Sequence, residues 1–172
     1  MKYLLLIFCA VILANCAGKD NHISTEYYCF NTDPSKDNNI KLLESQMVNT
    51  EADNINVCIF GEKTYEIYSG PKPNKDRKFD EIINECLNKS KLINIHSTNF
   101  NNLLIYLNNR VRNSSNAYIY TDGKFMNYQT QELLINLNKK GLQSVRFFGV
   151  DIKYKESIYN IFIKSKITVN QN

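Results

Sequence analysis

The segment NAYIYTDG, residues 116–123, decides the fold, because it is an apolar and aromatic run that ends in a polar turn. A short run of this kind is typical of a buried strand. Helical patterns flank it on both sides, upstream at Phe100, Leu103, Leu104, Leu107 and Val111 and downstream at Leu133, Leu134 and Leu137. The second helix ends at Lys139-Lys140-Gly141, and residues 144–150 (SVRFFGV) follow as another strand. This stretch therefore predicts a strand, a crossover helix and a second, parallel strand.

The same alternation extends to both ends of the chain. Strands are predicted over residues 27–31, 55–61, 64–68 and 167–169, with helices over 38–48, 79–87 and 155–164. The 64–68 strand follows its neighbour after a hairpin-length turn and is expected at a sheet edge, and residues 70–77 are expected to form a loop. The sequence predicts an α/β fold with an open, mainly parallel, doubly wound sheet and helices on both faces.

Composition bounds the class of protein. The chain has 172 residues, of which 43 % are apolar and 22 % charged, as in a folded chain of one domain rather than a disordered or multi-span one. A formal net charge of +4 is too small to indicate by itself that the protein binds nucleic acid. No glycine-rich phosphate-binding motif occurs.

The first residues resemble an export signal. Residues 1–15 are predicted to be a signal peptide, since one early lysine precedes a short apolar run. Leu13-Ala14-Asn15-Cys16 resembles the bacterial lipobox, which implies a lipidated Cys16 and a polar tether over residues 16–25 before a single domain over 26–170. Asn15 departs from the usual small residue. Ordinary cleavage near Ala14 or Ala17, giving a secreted or periplasmic protein, is the alternative.

Three cysteines remain in the domain. Cys29 and Cys58 fall in predicted strands and Cys86 on the apolar face of a helix, so all three are expected to be small buried hydrophobes. A disulfide between Cys29 and Cys58 is the alternative if their two strands are neighbours in the sheet.

Oxygen-bearing side chains gather where strands end and helices begin. Asp33-Pro34-Ser35-Lys36-Asp37 follows the first strand, Ser97-Thr98-Asn99 precedes the helix at Phe100, and Thr121-Asp122-Gly123 ends the central strand. In an open parallel sheet such loops meet at the carboxyl ends of the strands. Their oxygens suit magnesium, manganese or calcium. The alternative is that these residues only cap helices, with Ser35 and Asp37 before one and Ser97 or Thr98 before the other.

These loops resemble the metal-ion-dependent adhesion site of the von Willebrand factor type A domain, also known as the integrin inserted domain. That site combines a DxSxS loop, a threonine and a later aspartate, often in TDG. The resemblance assigns Asp33, Ser35, Asp37, Thr98 and Asp122 as metal ligands of a Mg²⁺ site, with Mn²⁺ or Ca²⁺ as other candidates.

The resemblance covers roughly residues 26–152 and includes residues 57–61 and 147–150, which are similar to two strands of the family. Asp37 replaces the last serine of DxSxS, and residues 96–97 stand where a glycine pair often precedes the threonine. The first departure adds a negative charge to the ligand set.

The resulting expectation is an exported, lipid-anchored binding module that uses a divalent cation to bind an acidic group on a protein partner, with the membrane reached through the lipid and no nucleic acid bound. A metal-free structural or assembly lipoprotein of the cell envelope is the alternative. An enzyme is not expected, because no nucleophile or positioned base accompanies Asp33 and Asp122, and His96 stands alone. Arg110 and Arg112 could contact nucleic acid, but the export signal argues against it.

Overall fold

The computed structural model describes residues 24–31, 37–74, 76–92, 99–124 and 131–171, with the backbone alone for 37–40 and 76–77. In this part of the chain the strands are β1 (Thr25–Phe30), β2 (Asn54–Phe60), β3 (Thr64–Pro71), β4 (Ser115–Tyr120), β5 (Leu142–Phe148) and β6 (Thr168–Gln171). The helices are α1 (Asp37–Asn49), α2 (Asp76–Ser90), α3 (Phe100–Arg110), α4 (Gln131–Lys139) and α5 (Ile152–Phe162). None of the described helices combines the length and the apolar character needed to cross a bilayer.

The six strands form one sheet in the order β3-β2-β1-β4-β5-β6. Every neighbouring pair is parallel except β2 and β3, which are antiparallel. The predicted α/β class is confirmed, and so is the expected position of β3 at an edge. The connections place β1 at the centre, between β2 and β4, so the loops after these strands leave the sheet side by side.

Both faces of the sheet are covered, which explains why β1 is apolar almost throughout. Tyr27 and Cys29 point to one face, where they join a core with α3, α4 and α5. Tyr28 and Phe30 point to the other, where they pack with residues of α1 and α2. A strand buried on both sides has no polar face, so its sequence shows a continuous apolar run instead of alternation.

The helix α3 forms because its apolar residues repeat on one face and its start is capped. Phe100, Leu103, Leu104 and Leu107 are buried, and the side chain of Asn99 accepts a hydrogen bond from the Asn101 amide. The expectation that Ser97 or Thr98 would cap this helix is wrong, since Asn99 occupies the N-cap position.

Several element boundaries differ from the sequence prediction, among them the start of α2 at Asp76, inside the expected loop, and two boundaries have a clear local cause. The strand β3 continues to Pro71, inside the expected loop, because Pro71 lies opposite Asn54 and the next amide, that of Lys72, donates to the Asp53 carbonyl at 2.8 Å. A proline is tolerated there because β3 is an edge strand. The last helix begins at Ile152, earlier than expected, with Asp151 as its N-cap.

The three domain cysteines are buried free thiols, as expected. Cys29 and Cys58 are register partners in the neighbouring strands β1 and β2. Although the strands are adjacent, both residues are free thiols and form no disulfide with each other. Burial raises the pKa of Cys58 above its ordinary value and that of Cys86 to about 12. The neutral form is therefore favoured, as expected of small core residues.

Candidate functional site

The strands β1 and β4 end together at what we call the carboxyl end of the sheet, where the parallel strands finish. Phe30 and Tyr120 are register partners, and their rings stack with centroids 4.3 Å apart. One residue further, the Asn31 amide donates to the Tyr120 carbonyl at 2.9 Å. The chain that follows β1 and the turn that follows β4 therefore start from adjacent points.

The start of α3 lies at the same end of the sheet. Ile59 of β2 is the register partner of Phe30, so β2 finishes beside β1. The carbonyl of Gly61, just after β2, accepts a hydrogen bond from the Asn99 amide at 3.0 Å. Asn102, in the first turn of α3, donates from its side-chain amide to the Glu62 carbonyl. These bonds attach the entrance of α3 to the end of β2.

The turn after β4 is built by its own threonine and glycine. Thr121 is fully buried, its amide donates to the Phe148 carbonyl at 3.0 Å, and its hydroxyl accepts from the Gly123 amide at 3.1 Å. Gly123 has φ +87°, a left-handed backbone conformation that residues other than glycine rarely adopt. Thr121 thus shapes the turn, which leaves Asp122 as the residue that can act at the surface.

Asp122 presents a carboxylate to solvent, with 41 % of its side chain exposed. One oxygen accepts from the Lys124 amide at 3.1 Å, and the other lies 3.1 Å from the Lys124 ammonium. Its main-chain carbonyl accepts from the Asp151 amide at 3.1 Å. Main-chain bonds therefore fix the base of this residue while its carboxylate faces outward.

Asp151, which sequence reasoning missed, brings a second carboxylate close to this turn. It caps α5 by accepting from the Lys153 amide at 3.4 Å, and it pairs with the Lys153 ammonium at 3.3 Å. The hydrogen bond from the Lys153 amide, reinforced by that ammonium, lowers the pKa of the Asp151 carboxyl below its usual value. The signal in the sequence was an aspartate placed between a strand and a helix.

Comparison with known proteins bears on the fold. No protein-family model matches the sequence, and no curated protein matches it. Among solved structures, BatB from Bacteroides thetaiotaomicron has a TM-score of 0.60 at 12 % identity, covering 87 % of this chain and 90 % of that one. An aerotolerance-related membrane protein from Bacteroides fragilis has a TM-score of 0.58 at 9 % identity, covering 87 % and 91 %.

A third solved structure carries the family name. It is a von Willebrand factor type A protein from Catenulispora acidiphila, with a TM-score of 0.53 and 10 % identity over 87 % of this chain and 38 % of that one. The protein has the von Willebrand factor A fold. At these identities the similarity concerns the fold alone, and the ligands of any site have to come from the chain itself.

Within this von Willebrand A fold, the predicted site residues are described unevenly. Asp122 lies at the carboxyl end of the sheet, and Asp37 is the first residue of α1, described by its backbone. The other predicted residues lie outside the described part: Asp33, Ser35, His96, Thr98 and the lipidation candidate Cys16. No three histidine, cysteine or acidic side chains of the described residues are grouped so that they could hold a metal.

The structure places the described residues next to the predicted ligand loops close together. Asn31 precedes the Asp33 loop, Asn99 follows Thr98, and Asp122 lies within its own turn. The hydrogen bonds to Tyr120 and Gly61 hold the first two points at the carboxyl end of the sheet.

Proposed function

We propose that this protein is an exported, lipid-anchored binding module that holds a divalent cation at the carboxyl end of its sheet and uses it to bind an acidic group on a protein partner. The observation that carries the proposal is the convergence at this end of the sheet. The end of β1, the end of β4 and the start of α3 lie together there, next to an exposed Asp122 carboxylate.

The proposed ligands follow from the residues that leave these points. Asp33 and Ser35 lie in the chain between β1 and α1, Asp37 is the first residue of α1, Thr98 precedes α3, and Asp122 follows β4. Carboxylate and hydroxyl oxygens are the ligands that Mg²⁺, Mn²⁺ and Ca²⁺ prefer. Mg²⁺ also retains several waters, so one coordination position can exchange for a carboxylate of the partner.

The ion pair of Asp122 with Lys124 is weak enough to give way to a cation. Both side chains are in contact with solvent, with 41 % of Asp122 and 64 % of Lys124 exposed. An exposed ion pair of this kind contributes at most about 1 kcal/mol, because water screens it and two side chains must be ordered. A divalent ion with several oxygen ligands would outcompete one ammonium.

The proposed anchor rests on the sequence before the domain. Lipidation of Cys16 would add acyl chains whose burial contributes about 0.8 kcal/mol for each methylene, so two or more chains hold the protein stably on a membrane. The proposed location is therefore the cell envelope, and an export signal cleaved elsewhere would give a secreted or periplasmic protein instead. We propose binding rather than catalysis as the role of the carboxyl end.

Thermal unfolding of the full chain in detergent tests the metal site. MgCl₂ or MnCl₂ should raise the melting temperature relative to chelator, since an ion that binds only the folded state at 100 times its Kd stabilises it by about 2.7 kcal/mol. Asp122→Asn should abolish this rise and keep the melting temperature in chelator. Asp80→Asn, an exposed carboxylate in the first half of α2, is the matched control and should keep the rise.

A metal-free structural or assembly protein of the envelope is the second candidate. It is favoured by the Lys124 ammonium, which already neutralises Asp122 at 3.1 Å. Equal melting temperatures of the unmodified chain in chelator and in millimolar metal would overturn the metal proposal and support this candidate.

A further inference from the structure

A pocket lies at the opposite, amino end of the sheet, where β1 and β2 begin. Its volume is about 290 Å³, and its walls include Tyr27 of β1, Asn56 of β2 and Ser69 of β3. Two arginines also line it, Arg110 at the end of α3 and Arg112 just after that helix. This size is at the lower limit for ligand pockets, so the space suits one small group rather than a large molecule.

Tyr27 contributes a phenol whose hydroxyl has no hydrogen-bond partner within the described part of the chain. Its side chain is only 3 % exposed, and it lines the pocket. Burial raises the pKa of Tyr27 to about 12, while the positive charges of Arg112 and Arg110 act in the opposite direction. The Tyr27 hydroxyl is therefore a donor available to a ligand in the pocket, which two arginines also line.

The two arginines differ in whether an acidic side chain balances their charge. Arg110 pairs with Glu66 at 2.9 Å and lies over the ring of Tyr106, 5.4 Å from its centroid. The same Glu66 oxygen also accepts from the Tyr106 hydroxyl at 2.7 Å, so the charge of Arg110 is balanced by a carboxylate held in place.

Arg112 has no such acidic partner among the described residues. It donates from Nη1 to the carbonyl of its neighbour Val111 at 2.7 Å, and its remaining donors are exposed at the mouth of the pocket. The pocket therefore carries one uncompensated positive charge.

We propose that this pocket binds a small oxyanion, the carboxylate or phosphate group of a ligand. Arg112 supplies a planar fork of donors that matches such a group, and the Tyr27 hydroxyl supplies a neutral donor from the inner wall. Ser69 adds a polar residue to the wall, while the Asn56 side chain is already hydrogen-bonded to Glu66 and Tyr106. The site lies at the other end of the sheet from Asp122, so it does not depend on a cation there.

The test is titration calorimetry on the full chain in detergent with chelator present, so that the cation site plays no part. Inorganic phosphate and acetate are the probes, at ionic strength matched with sodium chloride. Binding of phosphate but not acetate would identify a phosphate site, and the reverse a carboxylate site. Heat from neither probe beyond that of sodium chloride would overturn the proposal.

Variants then locate the binding. Arg112→Gln should weaken it about tenfold, as expected for loss of a charge-assisted hydrogen bond, and Tyr27→Phe about threefold. Tyr27→Phe should not lower the melting temperature, because it removes a hydroxyl that has no partner. Lys164→Gln, an exposed cation just after α5, is the charge-matched control and should bind as the unmodified chain does. Equal weakening by Arg112→Gln and Lys164→Gln would mean that only net charge matters and would overturn the proposed site.

Discussion

Replacing Gly123 by alanine tests the turn that carries Asp122. The backbone there has φ +87°, and an added Cβ would lie 3.0 Å from the Tyr154 Cβ and 3.1 Å from the Val150 Cγ1. The left-handed conformation costs about 1 kcal/mol for alanine, and the close contacts add about 1 to 3 kcal/mol. The stiffer unfolded chain offsets about 0.4 to 1 kcal/mol, so Gly123→Ala should lower the free energy of unfolding by about 1 to 3.5 kcal/mol.

Gly149→Ala is the matched control. Its φ is +78°, but the nearest atom to an added Cβ is the Thr121 carbonyl oxygen at 3.5 Å, an ordinary contact. The conformational cost remains and the packing cost is absent, so the loss of unfolding free energy should be at most about 0.6 kcal/mol. Urea unfolding followed by circular dichroism measures both variants. A Gly123→Ala loss no larger than that of Gly149→Ala would refute the contacts with Tyr154 and Val150.

Three further outcomes follow from titratable groups. Burial raises the pKa of Tyr27 and of Tyr118 from the ordinary value of 10.0 to about 12. Folding stability should therefore be full below pH 10 and fall as the pH rises toward 12. Urea midpoints across this range measure the fall, and Tyr27→Phe should make it shallower. The pKa of Asp151 is lowered below its ordinary value of 3.8, so Asp151→Ala should reduce the melting temperature at pH 7. The difference in melting temperature between the variant and the unmodified chain should shrink as the pH falls below 3.8. A difference that does not change with pH would contradict a stabilising role for the Asp151 charge. An alkylating reagent, followed by peptide mass spectrometry, should modify the three buried thiols only after unfolding, namely Cys29, Cys58 and Cys86.

Much of the fold could be predicted from the sequence because its signals are local. The apolar run that became β4 and the helical spacing of Phe100, Leu103 and Leu107 each need only neighbouring residues to be recognised. The edge position of β3 followed from its short turn after β2. Element ends were less predictable, since the extension of β3 to Pro71 depends on pairing with Asn54, on another strand.

The candidate site was predictable only in part. The sequence singled out Asp122 because it follows a strand in a turn, and in the structure this residue is partly exposed at the carboxyl end of the sheet. That β1 and β4 end together depends on the pairing of Phe30 with Tyr120, which are far apart in the chain. The pocket around Arg112 could not be predicted for the same reason, because Tyr27 and Ser69 reach it from two different strands.

The most direct test of the cation site is paramagnetic broadening of amide NMR signals by Mn²⁺ in the full chain. If the ion binds where the loops converge, substoichiometric Mn²⁺ should broaden the amides of Asn31, Asn99 and Asp122 first, and excess Mg²⁺ should restore them. The amides of Arg110 and Arg112, at the other end of the sheet, should stay sharp. Broadening that is absent, or that is centred away from Asp122, would contradict a metal-dependent binding site at the carboxyl end of this fold.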